Sequence, residues 1–555
     1  MRLIDTQRLV HRGPPYLFEF AEADVPDYVI LSHRWGAEEV TFQELVAHNP
    51  FHESTTAAKS GYQKILATAS VAIEYGYQWI WCDTCCIDKT SSAELSEAIN
   101  SMYRWYKNSD LCFAYLADVQ ESEHDSFTRS VWFTRCWTLQ ELIAPTKVFF
   151  FDQNWNNFGH KHELAGPIAK RTGIDELALL GKVRLESFTI AQKMSWASCR
   201  VAQRTEDVAY SLLGIFDVNM PMLYGEGRRA FLRLQEEIMQ RSTDQSILLW
   251  QSDKQSKALF GSSPADFRDC RRLQSRAHHK KAFTLNNLGL DIEVTLRPWR
   301  LNTYVAFLAC ESGGPSNVGN LNLEIDRETG YLCRTQSAQR KPSEKAGPYI
   351  LKDRRVTILR QGSSKSPNLA PMLYGFRLAK LGLPLHPENR WDPTHIWDLG
   401  IWTFDRRDGQ WLFAIPEGVS ASIAMLTLEL GDDVFLVQLA YDFDFNPAVH
   451  VSRMTYDFVE RFRRRRKWAT DEEDMFTWAD KGDEADWTPY LRYQDTLIDD
   501  PDTMQRCWLA KAIERQEFTA IVPATITKPH TNFEISFTTY PDSTGREWQF
   551  AMRQN

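Results

Sequence analysis

The chain has 555 residues, 43% hydrophobic and 25% charged, with a formal net charge of −9. That length exceeds one typical domain and suits two or three, and the acidic balance excludes a general nucleic-acid footprint. MRLIDTQRLVHRG has no continuous apolar stretch and no run of about 18 apolar residues follows, so neither a secretory leader nor a membrane span is expected and the chain reads as cytoplasmic.

YVILSHR (28–34) is a short apolar run ending in polar residues, as a buried parallel strand reads, with Ser32, His33, Arg34 and Trp35 at its carboxyl end. Tyr62, Ile65, Leu66, Ala69 and Ile73 then keep helical spacing. YQWIWC (77–82) is a second strand, closed by the polar DTCCIDK. Its C-x-x-C has no second ligand pair at short spacing, so buried reduced thiols are the reading and no metal site is expected. Ser91 and Glu94 form a capping-box pattern before a helix with Leu95, Ile99, Met102 and Tyr106 on one face. LCFAYL (111–116) is a third strand and KVFFF (147–151) a fourth. Between them RCWTLQELIAP (135–145) predicts a helix on which Trp137 and Glu141 stand one turn apart.

Two readings of Glu141 compete on this evidence. A carboxylate beside an indole can hold a cationic or flat aromatic ligand. Thr138 and Glu141 also fit S/T-x-x-E, in which the glutamate only caps its own helix. Four rounds of strand and helix predict an α/β domain, an open parallel sheet with helices on both faces. Ligands of such sheets collect beyond the carboxyl ends of the strands, where Ser32 to Trp35, Asp83, Asp118 and Glu141 can converge.

Residues 200–245 read as helical, an appendage on the first domain, and YGEGRR (224–229) within them reads as a helix start or a weak anion loop. Ser, Lys, Asp and Pro thicken across 251–274, a linker. Beyond it, runs such as DVFLVQLAY and FEISFTTY are β-type, so 275–555 is expected to be a mainly β, sandwich-like domain. RFRRRRK (461–467) stands beside DEED (471–474), a pairing of charge blocks that suits a solvated or self-paired loop.

YVILSHRWG, YQWIWCDTCCIDK, SSAELSEAINSMYRWYKNSDLCFAYLADV and CWTLQELIAP, in that order, resemble the blocks of the fungal HET (heterokaryon incompatibility) domain. HET domains are in turn similar to TIR domains, and the W-C-L-D-E-L helix of plant TIR domains aligns with Trp137 to Leu142, its glutamate falling on Glu141. The resemblance implies a flavodoxin/TIR-like sheet domain over 1–175, a helical extension over 176–250 and a regulatory β domain after the linker. It implies NAD+ as substrate rather than cofactor, cleaved between nicotinamide and ribose, with Glu141 catalytic and Ser32, His33, Arg34, Trp35, Asp83 and Trp137 binding. Self-association on activation and an unidentified protein trigger are implied as well. The glycine-rich TIR loop has no counterpart here, since DTCCIDKTSS takes its place. Non-catalytic self-association is the alternative. Arg34 is read either as a phosphate contact or as an ion pair with Asp83 or Asp118.

Overall fold

Val29–His33 (β3) is buried at all its positions, as a strand must be when both faces of its sheet are covered. In the computed structural model it lies inside a seven-stranded sheet with Arg2–Asp5 (β1), Leu17–Glu19 (β2), Trp79–Trp81 (β4), Leu111–Tyr115 (β5), Val148–Phe151 (β6) and Asn157–His160 (β7). The order is β2-β1-β4-β3-β5-β6-β7. The structure describes residues 1–362 apart from 12, 15, 49–54, 121–123, 253–255, 276–281, 301–302, 313–318, 327–328 and 336–351, and beyond 362 it describes strands alone.

β3 pairs in parallel with β4 and β5, and β5 with β6. β1, β2 and β7 add to the sheet antiparallel. The sheet is therefore mixed, where the sequence pattern predicts a parallel one. RLID and LFE are too short to show a period, yet RLID pairs along the free edge of β4 and LFE pairs with RLID, covering backbone groups that would invite another chain. Taken alone, the parallel strands run second, first, third, fourth. Sheet growth thus reverses at β3, which puts the switch point at the carboxyl ends of β3 and β5.

The crossovers supply the helices. Phe42–Ala47 (α2), Thr55–Ala58 (α3) and Ser60–Glu74 (α4) follow β3, after the short Thr6–Val10 (α1) near the N-terminus. Ser92–Asn108 (α5) joins β4 to β5. Ser91 Oγ accepts from Glu94 N at 3.3 Å, but the Glu94 carboxylate turns to Arg2 and to Asp88 N, so only half of the predicted capping box forms. His124–Arg129 (α6), a 3-10 turn at Val131–Thr134 and Thr138–Ile143 (α7) join β5 to β6. Trp81, Trp132, Phe113, Phe127, Phe150 and Phe151 are fully buried around these elements, and each ring contributes about 2–3 kcal/mol by leaving water.

Ala165–Thr172 (α8), Glu176–Leu179 (α9), Ile190–Ala197 (α10), Asp207–Tyr210 (α11), Leu213–Phe216 (α12) and Arg229–Arg241 (α13) follow. α12 meets α5 at Gly214, where a methyl group would stand 2.0 Å from Tyr103 Cβ. Where a linker is expected, Leu259 and Phe267 are buried, and Leu259 O accepts from Nε1 of the preceding Trp250 at 2.9 Å.

One compact unit comprises Met1–Glu293 with Phe307–Leu321 and Arg355–Gly362; Val294–Ala306, Asn322–Arg354 and Ser363–Asn555 make up the other. The described residues of the second unit are mainly strand. One of its sheets runs Ile401–Asp405, Gln410–Ala414, Gly375–Leu378, Trp548–Gln554, Thr531–Thr539, Ala524–Lys528 in spatial order; another runs Trp391–Asp392, Ala424–Leu430, Asp433–Tyr441, Pro447–Arg453. The RFRRRRK and DEED blocks lie outside the described residues. Among the described residues, no helix is long and apolar enough to cross a membrane.

Candidate functional site

α7 is buried along its whole length and anchored on several sides. Lys161 Nζ, itself 2% exposed as a residue, donates to the carbonyls of Leu142 and Pro145, satisfying acceptors that the helix end leaves open. Cys112 Sγ approaches Glu141 O at 3.9 Å. Thr138 does not cap. Its hydroxyl donates to Trp132 O at 2.6 Å and accepts from Arg200 Nη1 at 2.8 Å. The capping-box reading of Thr138 and Glu141 is thereby excluded, because both side chains are engaged elsewhere.

Glu141 reaches across to β3. Ser32 Oγ donates to its Oε2 and accepts from Trp132 Nε1 at 2.9 Å, so indole, hydroxyl and carboxyl form a buried chain. Glu141 is 6% exposed. Burial pushes its carboxyl up to about 8, opposed by the Ser32 hydrogen bond and by Arg135 and Arg200, and assisted by the charge of Asp83. A carboxylic acid tuned to the neutral range at the end of a parallel strand has the character of a working acid or base.

His33, next on β3, points to the other face, as successive strand residues must. Its Nε2 stands 3.8 Å from Glu39 Oε2 and 3.9 Å from Asp83 Oδ1, too far for hydrogen bonds. Burial, then the charges of Lys64, Arg135 and Lys89, hold the imidazole well below its usual range, so it is neutral. Trp35 Nε1 donates to Asp83 Oδ2 at 2.8 Å, and Lys89 Nζ lies 3.6 Å from the centre of the Trp35 ring.

The seven residues singled out from sequence thus do not form one group. Ser32 and Glu141 are together, and His33, Trp35 and Asp83 are together across the strand. Arg34 is exposed beyond β3 and makes no hydrogen bond or ion pair among the described residues. The ion pair with Asp83 or Asp118, one of the two readings of Arg34, is not made: Asp118 accepts from Ser130 Oγ and Val131 N instead. Trp137 departs from the group. Its indole lies beside Asp207 of α11 and favours that carboxylate's charge, and Asp207 accepts from Tyr224 Oη at 3.1 Å, so this tryptophan faces the helical segment.

Trp132, Glu39 and Arg200 carry no signal in the sequence that would single them out. Arg200 is 9% exposed, with Nη1 on Arg135 O and Thr138 Oγ1, and burial brings its guanidinium down to about 10.

The YGEGRR loop does bind an anion, and the anion belongs to the chain. Gly225 and Gly227, at φ 104° and 60°, direct their N–H groups at Glu206 Oε1 at 2.8 and 2.9 Å. Its own backbone amide, then those of Gly227 and Gly225, hold the Glu206 carboxyl below the usual range. That stabilisation is present above the unfolded value of about 4.3 and is lost as pH falls through the lower folded one. Glu206→Ala is expected to destabilise the chain by about 1–3 kcal/mol at neutral pH, because two donors lose their acceptor. Urea melts at pH 7 and at lower pH check this, and the gap from wild type should shrink in acid.

Residues 28–129 match the family model described as Heterokaryon incompatibility protein (HET), and residues 229–283 match one described as a Domain of unknown function (DUF8212). The Vegetative incompatibility protein HET-E-1 of Podospora anserina is 44% identical to this chain over 224 residues, which are 39% of this chain and 16% of that protein. The chain therefore spans a small part of the length of that curated relative. No solved structure matches.

Proposed function

We propose that this chain acts in heterokaryon incompatibility, and that the domain built on β3 to β6 does so by hydrolysing NAD+ between nicotinamide and ribose. The similarity to HET-E-1 supports the first part. One observation carries the second: the carboxyl of Glu141, not engaged as a cap, meets Ser32 Oγ on the central strand beside the switch point, with its ionisation held near neutrality. The parallel-strand order and the resemblance to TIR domains fit a flavodoxin-like frame.

The chemistry follows from a single carboxylate. As the C1′–N bond lengthens, its electron pair leaves with nicotinamide, which departs neutral and needs no strong acid. Positive charge develops on the ribose, and an ionised Glu141 in a dry site stabilises it. Water then adds to C1′ and its proton goes to solvent. A ribose hydroxyl takes the place of Ser32 Oγ on the carboxylate, while the exposed Arg34 meets phosphate. The cationic nicotinamide ring favours ionisation of Glu141 on binding. Release of nicotinamide from NAD+ by the purified chain tests the reading, and a chain that releases none even when clustered at high concentration defeats it.

A second reading, a self-associating signalling module without turnover, is favoured by the low exposure of Glu141, only 6% in this state. Cell killing by a folded Glu141→Gln chain would decide for it.

A further inference from the structure

His33 sets a problem that neither reading of Glu141 addresses. Its side chain is 1% exposed, and neither Nδ1 nor Nε2 has a hydrogen-bond partner. Burying both ring nitrogens unsatisfied is costly, and structures that keep such a group call for an explanation. Glu39 Oε2, 3.8 Å away, is buried and also without a partner.

The surroundings are arranged as metal ligands usually are. Glu39 gives one oxygen, Oε1, to Lys64 Nζ at 2.5 Å and to Gly36 N at 2.6 Å, leaving Oε2 turned to His33. Asp83 gives Oδ2 to the Trp35 indole at 2.8 Å, leaving Oδ1 at 3.9 Å from the same imidazole nitrogen. Each carboxylate is therefore oriented by an outer partner through one oxygen and offers the other inward, the way second-shell groups hold ligands. Cys82, one residue before Asp83 at the end of β4, is fully buried, and a ligand atom from each of His33, Cys82 and Asp83 lies within 4.8 Å of the others.

We propose that His33, Cys82 and Asp83 bind one Zn2+ ion at the carboxyl ends of β3 and β4, with the fourth position left to water and Glu39 Oε2 beside the imidazole. Zinc bonds of about 2.0–2.3 Å put neighbouring tetrahedral ligands roughly 3.3–3.8 Å apart, so Asp83 needs to close on His33 by only a few tenths of an ångström and Cys82 by up to about 1 Å. The mixture of nitrogen, thiolate and carboxylate selects zinc over magnesium, which keeps to oxygen ligands. On binding, the Cys82 thiol releases its proton to solvent and the neutral imidazole donates its lone pair. Of the C-x-x-C cysteines only Cys82 takes part, which is why the spacing gives no hint of the site. The ion would tie β3 to β4 and fix the loop that carries Arg34 and Trp35, whether or not Glu141 is catalytic.

The test uses the full chain, stripped with a chelator, titrated with ZnCl2 and assayed for bound metal by mass spectrometry after gel filtration. One zinc per chain with a raised melting temperature is expected, and Co2+ in its place should give a thiolate-to-cobalt absorption band. His33→Ala and Asp83→Asn should each weaken zinc by more than about a hundredfold, the second covering the case in which the first fails to fold. Cys82→Ser should lose the cobalt band. Asp118→Asn, a carboxylate engaged by Ser130 and Val131, should keep the metal. Substoichiometric zinc in the wild type, or full zinc in both His33→Ala and Asp83→Asn, overturns the proposal, and zinc retained by Cys82→Ser overturns the thiolate ligand.

Discussion

Replacing Glu141 by glutamine is expected to end NAD+ turnover and at the same time to make the chain more stable. The carboxyl sits at about 8 in the folded chain because burial disfavours its charge. Unfolded, it would ionise near 4.3. A carboxyl raised in this way contributes stability that is complete below about pH 4 and is lost as pH rises through about 8, at roughly 1.4 kcal/mol per unit between them. Glutamine has no proton to lose and still offers an oxygen to Ser32. Its advantage over the wild type should therefore grow across that window and reach on the order of 2–4 kcal/mol near neutrality, a rise of at least several degrees in melting temperature. Thermal melts from pH 5 to 8, beside an assay of nicotinamide release, measure both halves. A wild type that turns NAD+ over should do so faster as pH rises toward the value at which Glu141 ionises. A glutamine variant no more stable than the wild type would mean that the carboxyl is not held neutral, and its tuning would cease to argue for catalysis.

Gly214→Ala should cause a large loss of stability. The new Cβ would stand 2.0 Å from Tyr103 Cβ and 2.3 Å from its Cγ. The Cβ of Tyr103 is fixed by its backbone, so no rotamer removes the 2.0 Å contact and the two helices have to part. Overpacking of flexible side chains costs about 1–3 kcal/mol, and a clash between α12 and α5 at this depth should exceed that range. Loss of α12 from α5 would also loosen α11, whose Asp207 lies beside the Trp137 indole next to the helix that carries Glu141. Denaturant melts check the magnitude. The same alanine at Gly181 or Gly76, where nothing lies within 4 Å, should cost far less, although both are at positive φ and carry that strain alone.

What the sequence determined was the set of buried elements and their ends. LCFAY, VFFF and the VIL of VILSH are apolar because both faces of each strand are covered, and polar residues come where the chain leaves the sheet. That much fixed an α/β sheet and located Ser32, Asp83 and Glu141 near one edge of it. The antiparallel flanks were not legible, since β1, β2 and β7 are only three or four residues each and owe their pairing to the neighbours they cover. Nor could spacing decide between a cap and a site for Glu141. Thr138 and Glu141 satisfy the capping pattern, and only the approach of β3 and Arg200 draws them to other partners. The tertiary structure also divided neighbours that the sequence joins: Ser32 and His33 face opposite sides of one strand, so one meets Glu141 and the other Asp83 and Glu39. Adjacent letters report a strand's period. Which distant side chain stands across from each letter depends on how the chain crosses over, and that information is held in the packing of the whole sheet.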